Sequence, residues 1–313
     1  MGEFAQQFAV GQMIGDRQRQ EDDFAVLDLS SGPHERLLFV LADGMGGHIG
    51  AADVAHCAVT RFREFVNEGV GPLALRLKPA LASTNAAIAI SALRDESLKG
   101  AGCTLLAVAL EDRTLSWISV GDCYLLLFRK GRLHRLNADH SMRPVLSKLV
   151  AAGRLSARAA SRHPRRHVLR SALTGGDIKL TSIASEPLSL LPGDCVILAS
   201  DGLETLSDRA ITAILIRATP MSSLAIAKRL LEAIRAERNR HQDNTTIIVY
   251  RVIPAGSDLL EENAVTRMSR AFGRLFRPFL LTGALLSALA WNLGFLRGID
   301  WFHPIWQALL PAN

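Results

Sequence analysis

Apolar residues in this chain come in short, dense runs that end in acidic or glycine turns. The clearest are RLLFVLADG (36–44), CTLLAVAL (103–110), DCVILASDG (194–202) and TTIIVYRV (245–252). Runs of this length, bounded by turn residues, predict buried strands. Other stretches repeat at helical spacing. AADVAHCAVTRFREFV (51–66) puts Val54, Ala58, Phe62 and Phe65 on one stripe. A second helical stretch covers 72–93, with an interruption expected near Pro79. A third covers 222–240, with Leu224, Ala227, Leu230, Leu231 and Ile234 facing one way. LSWISVGD (115–122) followed by YLLLFRKGRLHRL (124–136) reads as a central hairpin with Lys130-Gly131 as its turn. The strand runs lie in adjacent groups and the helices are grouped elsewhere. That predicts an α+β protein, two layers of mainly antiparallel sheet covered by helices, and not a wound parallel sheet.

Composition narrows the classes. Of 313 residues, 49% are hydrophobic, ample for a sizeable core, so disordered and low-complexity readings are excluded. The net charge of +6 is mild, no extended Lys/Arg run is present, and there are only two tyrosines, so no nucleic-acid partner is expected. Cys57, Cys103, Cys123 and Cys195 are far apart and form no C-x-x-C pair. Neither a thiolate metal centre nor a disulfide framework is expected, and a reducing cytosol is the simplest setting. MGEFAQQFAVGQMIG at the start lacks the basic-then-apolar order of a signal peptide.

Acidic residues stand at the ends of the strongest strands. Asp43 follows LLFVLA, Asp201 follows VILAS, Asp243 precedes TTIIVYRV, and Glu21 and Asp22 stand just before FAVLDL. A carboxylate beside a core strand is costly without a partner. If these strand ends converge, they form an oxygen-rich cluster suited to a hard divalent cation, Mg²⁺ or Mn²⁺. An Asp-Gly after a strand also makes an ordinary turn, and spacing leaves open whether the four meet. Asp43-Gly44-Met45-Gly46-Gly47-His48 is more specific, because three glycines in four positions let the backbone approach a ligand.

These elements together have a familiar order. Arg17-x-x-x-Glu21-Asp22, Asp43-Gly44-Met45-Gly46-Gly47-His48, Gly121-Asp122, Asp139-His140-Ser141, Ser200-Asp201-Gly202-Leu203 and Asp243-Asn244-Thr245-Thr246 resemble the metal-dependent serine/threonine protein phosphatases of type 2C, the bacterial branch most. The resemblance covers about residues 8–252, and 147–175 is similar to the flap of bacterial members. It implies an α-β-β-α four-layer sandwich and a phosphatase domain over 1–253 with its flap at 147–170. It also implies hydrolysis of phosphoserine and phosphothreonine in proteins by a water activated between two metal ions and attacking in line. By the same resemblance Asp43 bridges two Mn²⁺ or Mg²⁺ ions with the Gly44 carbonyl on one of them, and Asp201 and Asp243 hold the other. Glu21 and Asp22 act near the second ion, and Asp122 matches a position that helps bind a third, weaker one. Arg17 matches the arginine that grips the phosphate, and His48 the proposed general acid for the leaving alkoxide.

His140 reads as a structural hydrogen-bonding residue, His56 as helix packing and Arg19 as a solvated charge. Gln20 stands where the family usually has Asn, Cys123-Tyr124 where Ser-Arg is common, and Glu204-Thr205 where Trp-Asp is frequent. The implied partners are phosphorylated proteins, substrates of a serine/threonine kinase. Two rival readings are a non-catalytic phosphoprotein-binding module on the same fold and a hydrolase of a small phosphate ester.

After Val252 the character changes. Residues 254–266 read as a linker and 267–278 as a basic juxtamembrane segment carrying Arg267, Arg270, Arg274 and Arg277. FLLTGALLSALAWNLGFL (279–296) carries no charge, and 18 residues reach about 27 Å as a helix, close to the ~30 Å hydrocarbon core. Four arginines precede this stretch and Arg297 follows it, before a short tail over 297–313. The expectation is a single-pass C-terminal hydrophobic helix in the inner (cytoplasmic) membrane, with the catalytic domain in the cytoplasm. Asn292, Thr282 and two glycines leave a surface-lying helix or buried hairpin as the alternative.

Overall fold

The computed structural model describes residues 8–31, 34–45, 50–218 and 221–253. In chain order its elements are β1 (Phe8–Met13), β2 (Asp22–Asp28), β3 (Arg36–Met45), α1 (Ala51–Glu68), α2 (Leu73–Arg94), β4 (Gly102–Cys103), β5 (Leu105–Glu111), β6 (Thr114–Val120), β7 (Tyr124–Arg129) and β8 (Arg132–Arg135). They continue as α3 (Arg143–Ala151), α4 (Ala157–Ser161), β9 (Ser182–Ile183), β10 (Leu188–Ser189), β11 (Cys195–Ala199), α5 (Asp208–Arg217), α6 (Ser223–Ala236) and β12 (Thr245–Arg251). The 254–266 linker, the basic 267–278 segment, the proposed span at 279–296 and His48 all lie outside the described residues. Among the described residues no helix is long and apolar enough to cross a membrane.

Side-chain alternation explains the layers. In β3, Leu37, Phe39 and Leu41 face one core and Leu38, Val40 and Ala42 another, and all six are buried. A strand apolar on both sides needs cover on both. The sheet of β10-β6-β5-β3-β2, with β4 on β3 and β9 on β6, receives α1 and α2 on one face. The second sheet, β1-β12-β11-β7-β8, receives α6 and the 208–217 helix on its outer face. The two inner faces meet in a core that includes Phe39, Leu106, Val108, Val196, Leu198, Ile248 and Tyr250. Among the described residues every strand pairing is antiparallel, and the expected α-β-β-α sandwich is the observed one.

Three expectations are corrected. Helix α2 runs through Pro79 without interruption. The lost backbone hydrogen bond costs about 3 kcal/mol, and burial of Leu73, Leu77, Ala80, Leu81 and Ile88 against the sheet offsets it. The hairpin is smaller than expected: Lys130 and Gly131, both at positive φ, join β7 to β8. Strand β6 belongs to the other sheet, and the chain crosses between sheets at Gly121-Asp122-Cys123. The helical stripes also shift at their edges. Phe65 and Leu224 are only about half buried, at 37% and 48% exposure, while Val66 and Ile226 are buried in their place.

Candidate functional site

The inner faces turn polar at one end of the sandwich. Past Leu37, Phe39 and Leu41 the same face of β3 carries Asp43, and the same face of β2 carries Asp22, directly opposite Asp43 in register. On the facing sheet Val196 and Leu198 lead to Ser200, and Thr246 precedes Ile248 on the same side. The hydroxyls of Ser200 and Thr246 each donate to Asp22 Oδ2 at 2.7 Å, tying the sheets together at this mouth. Asp201 opens a one-turn 3-10 helix over Asp201–Thr205, and Asp243 stands two residues before β12. Glu21, Asp43, Gly44, Thr104, Asp122, Asp201 and Asp243 line a cleft of about 230 Å³ together with Arg17. A neighbouring pocket of about 480 Å³ shares Arg17, His167, Asp201 and Asp243 with it and adds Arg166, Glu204, Asn239 and His241.

Backbone geometry shapes the floor. Gly44 donates to the Glu21 carbonyl at 3.0 Å. A Cβ on Gly44 would stand 2.5 Å from the Ala51 carbonyl oxygen and 2.8 Å from that of Glu21, so only glycine fits. Asn244, legible in the sequence only as part of a motif, holds the loop between β1 and β2. Its Oδ1 accepts from Glu21 N at 2.8 Å, and its Nδ2 donates to the carbonyls of Ile14 and Arg19 at 2.8 and 3.0 Å. Gln20 adds to this, accepting from Asp22 N at 3.0 Å and donating to the Met13 carbonyl at 3.3 Å. That loop delivers Arg17, whose Nη2 donates to Asp243 Oδ2 at 2.5 Å. One N–H is used there, and a guanidinium has five.

The electrostatics are those of crowded acids. Burial raises the Asp43 carboxyl well above its usual range, and repulsion from Asp22, Asp201, Asp122 and Asp243 raises it further. Asp201 is pushed up to about 8, by burial first and then by Asp122 and Asp243. Asp22 is pushed up to about 6 by burial, against the pull of the Thr246 and Ser200 hydroxyls. Among the described residues, no three Asp, Glu, His or Cys side chains stand in ligand positions around one point. The donor chemistry nevertheless fits hard cations. Asp22 Oδ1 and Asp201 Oδ1 are buried oxygens with no hydrogen-bond partner, and all the acids offer oxygen. An unpartnered buried carboxylate oxygen is costly, and a divalent cation satisfies it. Asp122 differs from these groups. Burial raises its carboxyl to about 6 against the pull of Arg143, whose Nη2 meets Asp122 Oδ2 at 3.3 Å.

The remaining residues fall into place. His140 is buried and accepts from Gly121 N at 3.2 Å, the structural part expected of it. His56 is not packed in a core: it is exposed and pairs with Asp23 at 2.9 Å. In the 147–170 stretch, α4 and Arg158 and Arg162 are exposed, while Arg166 and His167 turn toward the site beside Glu204. Arg143 gave no signal in the sequence, because its partners Asp122 and Glu204 are 21 and 61 residues away.

The sequence matches the family described as protein phosphatase 2C over residues 12–242. It is 32% identical over 219 residues to the serine/threonine protein phosphatase PstP of Mycobacterium tuberculosis, covering 69% of this chain and 40% of that one. The chain therefore spans about two fifths of that relative's length. A crystal structure of the PstP catalytic domain with two manganese ions superposes with a TM-score of 0.62 at 28% identity, covering 79% of this chain and 98% of that one. PppA of Pseudomonas aeruginosa superposes with a TM-score of 0.62 at 26% identity, covering 79% and 97%. With the match spanning most of the chain and the acidic mouth of the sandwich built from its motifs, this chain belongs to the protein phosphatase 2C family.

Proposed function

We propose that the chain hydrolyses phosphoserine and phosphothreonine in proteins, using two divalent cations, Mn²⁺ or Mg²⁺. The observation that carries this reading is the meeting of Asp43, Asp201 and Asp243 from separate strand ends in one cleft, with Asp22 directly opposite Asp43 in register and stranded buried oxygens on Asp22 and Asp201. Asp43, on which repulsion from four other carboxylates bears, would be a principal ligand of such cations. Asp201, Asp243, Glu21, Asp22 and the Gly44 carbonyl complete the donor set. When bound, such cations make a water nucleophilic near neutral pH and draw charge from the phosphoryl oxygens.

The chain's own residues do the rest. Arg17, half exposed and anchored on one side by Asp243, offers its remaining N–H groups to phosphate oxygens. The new O–P bond forms as the bond from phosphorus to the Ser or Thr oxygen breaks. His48, three residues past the end of β3, supplies the proton that the departing alkoxide needs. Asn244 and Gln20 fix the loop that aims Arg17 and Glu21. The phosphorylated proteins are expected to be products of a serine/threonine kinase. A retained acid set together with Arg17 argues for turnover over a binding-only module. The charged segment 267–278 and the uncharged 279–296 support tethering of this domain to the cytoplasmic face of the inner membrane.

The test is hydrolysis of a phosphothreonine peptide and of nitrophenyl phosphate by the full chain, with Mn²⁺ and with chelator. Peptide turnover that needs Mn²⁺ and disappears in Asp43→Asn is the expected result. His48→Ala is expected to lose ~10²–10⁴-fold on the peptide and far less on the aryl ester, whose phenolate leaves without a proton. Near wild-type turnover by Asp43→Asn would refute the metal reading, and hydrolysis of the aryl ester alone would favour a small phosphate ester as substrate.

A further inference from the structure

Arg143, at the start of α3, carries a guanidinium held from five directions while its side chain is only 13% exposed. Nη2 reaches Asp122 Oδ2 at 3.3 Å, Nε reaches Asp139 Oδ2 at 2.9 Å and Ser141 Oγ at 3.0 Å, and Nη1 donates to Tyr124 Oη at 2.9 Å and to Glu204 Oε2. The guanidinium also lies 5.6 Å from the centre of the Tyr124 ring. Arg135 supports it from behind, with Nη1 at 3.4 Å from Asp139, Nη2 on the Asp122 carbonyl at 2.8 Å, and Cζ 4.3 Å from the centre of the Tyr124 ring. Arg166 closes the set on Glu204. Three carboxylates, Asp122, Asp139 and Glu204, are thus met by three guanidinium groups, Arg135, Arg143 and Arg166.

We propose that Arg143 is a built-in cation of the site: it takes the place beside Asp122 where the family resemblance implies a third metal ion, so the chain binds two ions, not three. The inference rests on the metal-binding reading above and narrows it. Asp22 and Asp201 have stranded buried oxygens that call for a cation, whereas Asp122 Oδ2 already meets the Arg143 guanidinium at 3.3 Å. A dication placed beside Asp122 would face a guanidinium that cannot lose its proton. To displace that guanidinium would leave its charge without its buried partners, a strongly unfavourable change. Two departures from the family pattern, Tyr124 and Glu204, touch this same side chain. They hold Arg143 in position, and through Glu204 they couple it to Arg166 and His167 of the flap segment.

The experiment counts Mn²⁺ bound to the full chain, by equilibrium dialysis with metal quantification and by the electron paramagnetic resonance signal of free Mn²⁺. Wild type and Asp122→Asn are both expected to bind two ions. Arg143→Gln unmasks the Asp122 carboxylate and is expected to add a third, weaker ion, which the double variant with Asp122→Asn loses again. Arg143→Lys, which keeps the charge, stays at two. Circular dichroism melts identify any variant that does not fold. If Arg143→Gln fails that check, the comparison of wild type with Asp122→Asn decides alone. Three ions on the wild-type chain, with the third lost in Asp122→Asn, would overturn the inference, as would a folded Arg143→Gln that binds only two. No bound Mn²⁺ on wild type would overturn the metal reading itself, an outcome distinct from a count of three.

Discussion

Asp201 and Asp22 show what crowding acids at a strand end does to a single residue. Their folded-state values stand at about 8 and about 6 against an ordinary 3.8, with burial the larger cause for each. A carboxyl whose pKa is raised by folding keeps its proton longer in the native state than in the unfolded one. Between about pH 4 and pH 8 the native chain therefore binds more protons, and the stability these groups contribute falls as pH rises. In chelator, the melting temperature is expected to decline from pH 5 to pH 8, and less steeply in Asp43→Asn, which removes a carboxyl that folding itself raises. Added Mn²⁺ binds the deprotonated set, so its stabilisation should be larger at pH 8 than at pH 5. A metal-free melting temperature that rises over this range in wild type and variant alike would contradict the cluster. Such an outcome would mean that these acids are well solvated.

At the scale of elements, the loop joining β1 to β2 matters most, because it brings Arg17 and Glu21 to the cleft. It has no regular structure of its own, and buried Asn244 on the opposite strand end supplies three hydrogen bonds that fix it. Replacing Asn244 by Ala leaves two carbonyls and one N–H without that partner, so we expect a loss of ~1–3 kcal/mol in denaturant unfolding. Phosphopeptide KM should rise as Arg17 loses its aim. Asn244→Asp should be worse for stability than Ala, since it sets a carboxylate against the Ile14 and Arg19 carbonyls. Unfolding energies within ~0.5 kcal/mol of wild type for both variants would show that the loop holds itself in place.

For the whole molecule, the phosphatase 2C domain and the C-terminal region make separate claims. The expected outcome of fractionation is carbonate-resistant membrane retention of the full chain and a soluble form when it ends at Ala255. Arg267, Arg270, Arg274 and Arg277 should keep the domain on the cytoplasmic side, protected from protease added outside. Full-length protein in the soluble fraction would defeat the anchor, and retention of the truncated form would move the membrane contact into the domain.

Local pattern was enough for much of this. The runs that became β3, β5, β11 and β12 and the stripes of α1 and α6 are legible because burial on both faces leaves dense apolar runs, and burial on one leaves helical spacing. The acidic strand ends were visible for the same reason: a charge that interrupts a core strand stands out. What the sequence could not decide is which sheet each strand joins. Alternation looks alike in both, so β6 and β7 read as neighbours although the chain changes sheets between them. Helix α2 passing through Pro79 was equally hidden, since a local cost was set against packing contacts with distant strands. The meeting of Asp22 with Ser200 and Thr246, and the grip of Asp122, Asp139 and Glu204 on Arg143, belong to the tertiary structure alone. Those partners are far apart along the chain, and only the closing of one sheet on the other brings them within reach.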